Sequence, residues 1–267
     1  MRAPRALAVL VAVALLVSCG GDDTETDSEG STPATASTQE LDGTLTVLAA
    51  TSLQGAFADI EAAFEDAHPD VDVQVSTDGS ANLATAIIEG GVPADVFASA
   101  DEQNLERVVD AGLAEEGAAE AFVANRLQIV VEEGNPLGIE SLEDLTDPDV
   151  SVSLCQPDVP CGRYAEAAFA AAGLAVPPAG EEDKVSGVVR KVALGEADAG
   201  IVYVTDVLAA DDDVDGVDLA DDEQVTATYP ASVLSDAPNP TAARAFVAYL
   251  SGADAQEIFE RYGFEVP

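Results

Sequence analysis

Between Leu45 and Phe64 the chain reads LTVLAATSLQGAFADIEAAF. LTVLAA is β-rich and apolar enough for a buried strand, whereas Leu53, Ala56, Phe57, Ile60, Ala63 and Phe64 recur at helical spacing. The join is therefore Ala50-Thr51-Ser52, and the rest of the chain presents further turns of the same kind. Thr51 with Gln54 three residues on fits a capping box, so the helix starts here with its first amides lacking intrahelical acceptors. Those amides, the positive end of the helix dipole and two hydroxyls together make a site for an anion. Taken alone, the stretch also reads as an ordinary capped helix.

The pattern repeats downstream. Val71 to Ser76 alternates as a strand, and Asp78-Gly79-Ser80-Ala81-Asn82-Leu83 leads into a helix through Gly90. Pro93 to Asp101 is a short buried strand ending in a polar turn, followed by a helix to Ala111. Strands are expected at Arg126–Glu132, Val150–Leu154, Ala199–Tyr203 and Val225–Leu234. Helices are expected at Ser141–Leu145 (with Ser141 and Asp144 as a capping box), Gly162–Ala172, Asp183 to near Gly195, Thr241–Leu250 and Ala253–Arg261, with another beginning near Asp206. Alternation at this spacing argues for a parallel sheet in an α/β fold. The order fits two lobes, the last 40 or so residues folding back onto the first lobe. Open α/β sheets bind ligands at the carboxyl ends of their strands, which here face a shared cleft.

Charge narrows the partners. Lys plus Arg total 10 against 51 Asp plus Glu, a net charge of −41. Such a surface repels nucleic acid and anionic lipid. The acid is spread through the whole chain, a pattern of adaptation to high salt. Residues 1–18 read as an export signal, with Arg2 and Arg5 ahead of an apolar run too short for a permanent span. Leu16-Val17-Ser18-Cys19-Gly20 resembles the bacterial lipobox, which implies lipidation of Cys19; a plain secretory signal is the alternative. Residues 19–43 are polar and small, and cannot repay the entropy of ordering. They are expected to form a tether of roughly 25–30 Å.

Cys155 and Cys161 bracket the loop CQPDVPC. In an exported chain they most simply form a disulfide, stabilising by about 2–2.5 kcal/mol. The alternative, a metal site, lacks ligands, since the chain has a single His, His68, which reads as a helix-end residue. Asp211-x-Asp213-x-Asp215-Gly216 with Asp222 partly matches a calcium loop, although VDLA after the Gly reads as strand. Asp95 and Asp101 read as turn and packing residues, and Arg163 as solvent-facing. With no nucleophile paired to a base and no phosphate-loop signature, the chain is not expected to be an enzyme.

LAATSLQGAFADI, GSANLATAI, GVPADVFASAD, the PDVPCGRYA loop, DKVSGVVRKVALGEADAGIVYVTD and the terminal IFERYGF, in that order, resemble the extracytoplasmic molybdate-binding proteins of ABC importers, the ModA family. The resemblance runs from about Leu45 to the end. It implies a two-lobed type II periplasmic-binding-protein-like α/β fold that closes around a tetrahedral oxyanion, with contacts from hydroxyls and backbone amides and no positive side chain. The implied ligand is molybdate, and tungstate with it; sulfate or another tetrahedral oxyanion is the runner-up. Position by position, the contacts fall on Ser52, Ser80, Cys161 (through its amide, where the common pattern has Ala), Val185 and Tyr203. Lobe 1 is expected over 44–126 and 227–267, and lobe 2 over 127–226. The implied partners are an ABC permease and ATPase, with the membrane engaged through the lipid anchor alone and the chain a monomer on the outer face of the cell membrane. No cofactor is implied.

Overall fold

The computed structural model describes residues 41–115 and 121–266. The expected signal peptide, Cys19 and most of the tether lie outside them. Residues 41–43, assigned to the tether by composition, are held instead. The Gly43 amide donates to the Asp70 carbonyl at 2.9 Å, and Asn239 Nδ2 donates to the Asp42 carbonyl at 2.7 Å.

The first strand, β1 (Gly43–Ala50), is buried from its middle to its end. It runs through a 3-10 turn at Thr51–Leu53 into α1 (Gln54–Ala67), which buries Ala56, Phe57, Ile60 and Phe64. That one turn is the expected strand-to-helix join. Then come β2 (Val71–Asp78), α2 (Ser80–Gly90), β3 (Val96–Ala98) and α3 (Glu102–Asp110). Strand β1 pairs parallel with both β2 and β3.

The long strand β4 (Ala121–Glu132) joins the two halves. Its first part, Ala121 to Arg126, pairs antiparallel with β9 (Thr226–Val233), and β9 pairs antiparallel with β3. Its second part pairs antiparallel with β7 (Ala199–Tyr203) and β8 (Val214–Asp218). Beyond β7 lie β5 (Val152–Cys155) and then β6 (Gly180–Glu182), both parallel to their neighbours. The strand order is β2-β1-β3-β9-β4-β7-β5-β6, with β8 on β4. Each half is thus a parallel trio completed by antiparallel strands, a mixed arrangement and not the wholly parallel sheet expected. The reason is the double crossing: a chain that enters the second half and returns must bring β4 and β9 together side by side in opposite directions.

The helices α4 (Pro160–Ala172), α5 (Val185–Ala193), α6 (Val204–Ala210), α7 (Pro240–Leu250) and α8 (Ala253–Arg261) complete the layers. β7 and α8 fall where periodicity places them. β6 and the first half of β4 were not expected, and β8 only in its last residues, Val217 and Asp218: β6 is three residues, GEE, and β8 begins VDG, neither apolar enough to read as strand. The expected helix at Ser141–Leu145 is a 3-10 turn at Asp144–Thr146, and one half of its capping box forms, the Ser141 amide donating to Asp144 at 3.0 Å.

Phe57 sits at the centre of the first half. Its ring lies 6.1–6.2 Å from those of Phe122, Phe246 and Phe259. All four are fully or almost fully buried, so α1 is fixed to β4, α7 and α8 by one aromatic cluster. Phe57→Ala should lower unfolding stability by about 3–5 kcal/mol, measured by urea unfolding; a loss below about 1 kcal/mol would remove this cluster as the anchor of α1.

Candidate functional site

Six parallel strands, β1, β2, β3, β5, β6 and β7, end at one place. β1 delivers Ala50, Thr51 and Ser52, β2 delivers Gly79 and Ser80, and β3 delivers Ala100. From the other half β5 delivers Val159, Pro160 and Cys161, β6 delivers Lys184 and Val185, and β7 ends on Tyr203. These residues line one cavity of ≈ 20 Å³ for the centre of a water-sized sphere. Adding the ~1.4 Å radius of that sphere makes it equivalent to a ball of about 3 Å radius. That is the room needed for one central atom with a shell of oxygens. All five residues picked out by the resemblance, Ser52, Ser80, Cys161, Val185 and Tyr203, are in this lining.

The first amides of α2, α4 and α5, and of the 3-10 turn before α1, lie at the cavity, and amides in that position have no intrahelical acceptor. Val159 caps α4 in an extended conformation, and Pro160, at the first helical position, suits a site where its missing N–H costs nothing. Cys161 and Gly162 follow. A Cβ on Gly162 would stand 2.0 Å from the Gln156 carbonyl oxygen, so only glycine fits where the loop folds under its own helix. The disulfide between Cys155 and Cys161, with Cα atoms 5.7 Å apart, closes that loop and ties the end of β5 to the cavity wall.

The hydroxyls have a shared logic. Ser80 Oγ accepts the Ala100 amide at 3.0 Å, which leaves its proton free to donate. Ser52 Oγ is 2.9 Å from Tyr229 Oη, and Asn125 Nδ2 reaches that phenol at 3.4 Å. Asn125 is oriented by the Arg126 amide, which donates to its Oδ1 at 3.0 Å, and it also donates to Thr205 at 2.8 Å. Either oxygen of the Ser52–Tyr229 pair can donate; when Tyr229 donates, the Ser52 proton is left for the cavity. Burial pushes the phenols of Tyr203 and Tyr229 above their ordinary range, so both stay protonated donors.

Three buried side-chain polar atoms have no partner among the described residues, and two of them, Thr51 Oγ1 and Tyr203 Oη, belong to cavity-lining residues. The spacing of Thr51 and Gln54 predicts a capping box. No such cap forms: Ala50 is the cap, without a side-chain bond, and Gln54 Oε1 instead accepts from Thr77 at 3.5 Å. Thr51 therefore joins the site, and its signal in the sequence was its place beside Ser52. Asn125, Tyr229 and Lys184 were also missed, because pairing across distant segments leaves no local pattern. Lys184 lines the cavity against the expectation of no positive side chain, but its ammonium is held by Asp78 at 3.0 Å.

Other expectations need correcting. Arg163 is only partly exposed and is not a free surface charge; it is paired with Asp101, which also caps α3 through the Asn104 amide at 2.9 Å. The partial calcium-loop match at Asp211 does not have the shape of such a loop, and the strand reading after Gly216 holds for Val217 and Asp218. Residues 211–213 form a 3-10 turn and 214–218 are strand β8, which splays the carboxylates: Asp215 accepts from the Gly134 amide at 2.7 Å and Asp218 from Gln128 at 2.9 Å. Among the described residues no three His, Cys, Asp or Glu side chains gather as a metal site would require.

A two-lobed α/β fold with a small cavity of amides and hydroxyls between its halves defines a solute-binding protein. The sequence matches the family model for bacterial extracellular solute-binding proteins over residues 45–265. It is 38% identical to the molybdate-binding protein ModA of Mycobacterium tuberculosis (strain H37Rv) over 96% of this chain and 94% of that one, and 32% identical to ModA of Escherichia coli over 84% and 90%. The fold matches the periplasmic molybdate-binding protein of Azotobacter vinelandii with a TM-score of 0.73 at 20% identity, covering 84% of this chain and 99% of that structure. The chain belongs to the ModA family of bacterial extracellular solute-binding proteins.

Beside the cavity, Asp206 accepts the Tyr203 amide at 3.0 Å. Burial pushes its carboxyl from the ordinary 3.8 to about 7, though part of the residue stays open to solvent. The folded carboxyl thus keeps its proton through a window in which the unfolded one has released it. The native state binds more protons there, so stability falls as pH rises from about 4 to about 7. Asp206→Asn should flatten this slope in thermal melts across that range; an unchanged slope would mean Asp206 ionises as freely folded as unfolded.

Proposed function

We propose that this chain is the extracytoplasmic receptor of an ABC importer for molybdate, with tungstate accepted alongside it. The observation that carries the reading is the pair of buried hydroxyls without partners, Thr51 and Tyr203, at a cavity sized for a single tetrahedral oxyanion. A buried donor left unsatisfied costs about 1–3 kcal/mol, and an anion's oxygens remove that cost. The contacts assigned to the oxyanion are the hydroxyls of Ser52, Ser80, Thr51 and Tyr203 and the amides at Ser52, Cys161 and Val185. An excess of donors suits a fully ionised anion, whose oxygens offer acceptors only. Neutral donors at helix starts compensate the charge and still allow release, which delivery to a permease requires.

The rest of the reading follows the same logic. The chain binds and delivers its solute and does no chemistry on it. Lipidation at Cys19 holds it to the outer face of the membrane, and no helix among the described residues is long and apolar enough to cross one. Its partners are a permease and an ATPase, and it works as a monomer. The lobes divide as 44–126 with 227–267, and 127–226; this is supported by the change of partner along β4 after Arg126.

Calorimetric titration of the purified protein at high salt with molybdate, tungstate, sulfate and phosphate tests the reading. Tight binding of molybdate and tungstate and much weaker binding of sulfate is expected; equal binding of sulfate would keep the site and reassign its solute. Ser52→Ala and Tyr203→Phe should each weaken molybdate binding about 10- to 100-fold, since a hydrogen bond to a charged group contributes about 1.5–3 kcal/mol. Without ligand, Tyr203→Phe should be no less stable than the parent, because the lost hydroxyl has no partner.

A further inference from the structure

Six ion pairs form among the described residues, and two of them cross from one half of the molecule to the other: Asp78–Lys184 and Asp101–Arg163. The remaining four each join residues of one half. In a chain with 10 basic residues against 51 acidic ones, placing two at the mouth of an anion site needs an explanation. Both cations are engaged by a carboxylate of the other half. Lys184 Nζ lies 3.0 Å from Asp78, and Arg163 spans the Asp101 carboxylate and the Asp158 carbonyl.

We propose that Arg163 and Lys184 are the two halves of an electrostatic clasp that holds the lobes closed over the bound oxyanion and sets its residence time. This rests on the oxyanion reading for its ligand, but not for the closure itself. Both pairs grow from the turns that line the cavity: Asp78 and Asp101 end β2 and start α3, while Lys184 and Arg163 stand at the starts of α5 and α4. A third contact follows the same seam, Asn82 Nδ2 donating to Asp183 at 3.3 Å. Backbone closeness matches. A Cβ on Gly79 would stand 2.8 Å from the Asp183 carbonyl oxygen and 3.4 Å from Lys184 Cβ. Gly79 has φ −59° and ψ 135°, which any residue adopts, so the glycine is demanded by the other lobe and not by its own turn.

The two pairs differ in exposure, and this predicts different salt responses. Asp101 and Arg163 side chains are 5% and 24% exposed, whereas Asp78 and Lys184 are both 38% exposed. Salt screens the second pair and leaves the first largely intact. Arg163 is also the better residue for a shielded pair, because its planar fork bonds a carboxylate and a carbonyl at once.

The test is stopped-flow measurement of molybdate dissociation, followed by tyrosine fluorescence, on Lys184→Met, Arg163→Gln and the double variant, with small-angle scattering of each without ligand. Dissociation should be about tenfold faster in the double variant with association within about threefold of the parent, and the ligand-free radius of gyration should increase. The exchanged pair Asp78→Lys with Lys184→Asp should restore both. Gly79→Ala should act as a wedge, raising the radius of gyration with all charges in place, and it serves if the charge variants do not fold. Unchanged dissociation and radius of gyration would overturn the clasp. So would a loss carried by the association rate and not restored by the exchanged pair, since that is long-range steering. If the parent binds no oxyanion, the proposed solute fails, and the scattering comparison still decides the closure.

Discussion

The structure is organised around a shortage of acceptors. At the carboxyl ends of six parallel strands the chain turns into helices, and each turn leaves amide donors with no carbonyl to meet. Around them stand hydroxyls held by other polar groups: Ser80 by the Ala100 amide, and Ser52 by Tyr229, which Asn125 orients. Two more, on Thr51 and Tyr203, have no partner in the protein. A buried polar group without a partner is costly, so the surrounding fold must be stable enough to hold the donors in place. The aromatic cluster around Phe57 and the double strand crossing supply that stability, and the disulfide at Cys155–Cys161 fixes the loop between β5 and α4.

The charge distribution reads differently once this site is described. A surface so acidic would repel an oxyanion at low ionic strength, and the cavity does not answer with a cluster of cations. It answers with fixed dipoles at short range, which salt does not screen, while salt weakens the repulsion of the distant surface charge. The scarce cations at the cleft, Arg163 and Lys184, face carboxylates of the opposite lobe. Charge at this site is paired across the cleft, and most of the donors lining the cavity are neutral.

Much of the architecture was legible because it is local. The strand-to-helix joins at Ser52 and Ser80 follow from period 2 changing to period 3.6 across a small polar turn, and β7 and α8 fall where periodicity places them. The short strand β6 and the start of β8 were invisible for the opposite reason: GEE and VDG carry no apolar pattern and are strands because a neighbouring edge offers them hydrogen bonds. The same blindness hid Arg163, whose partner Asp101 is 62 residues away, and the route from Asn125 to Ser52.

By itself the sequence determined which residues could be donors: the serines and tyrosine at the ends of apolar strands, the proline-led loop, and the glycine-rich turns that allow close approach. It also carried, through ordered motifs and not through any single residue, the resemblance to oxyanion receptors. Only the tertiary structure decided which of those donors remain unsatisfied. Satisfaction is a property of pairs: Thr51 reads as a cap until Ala50 is seen to take that place, and Arg163 reads as a surface charge until the other lobe brings Asp101 against it. Spacing along a chain records what each residue can offer, and only folding across the cleft settles what it meets.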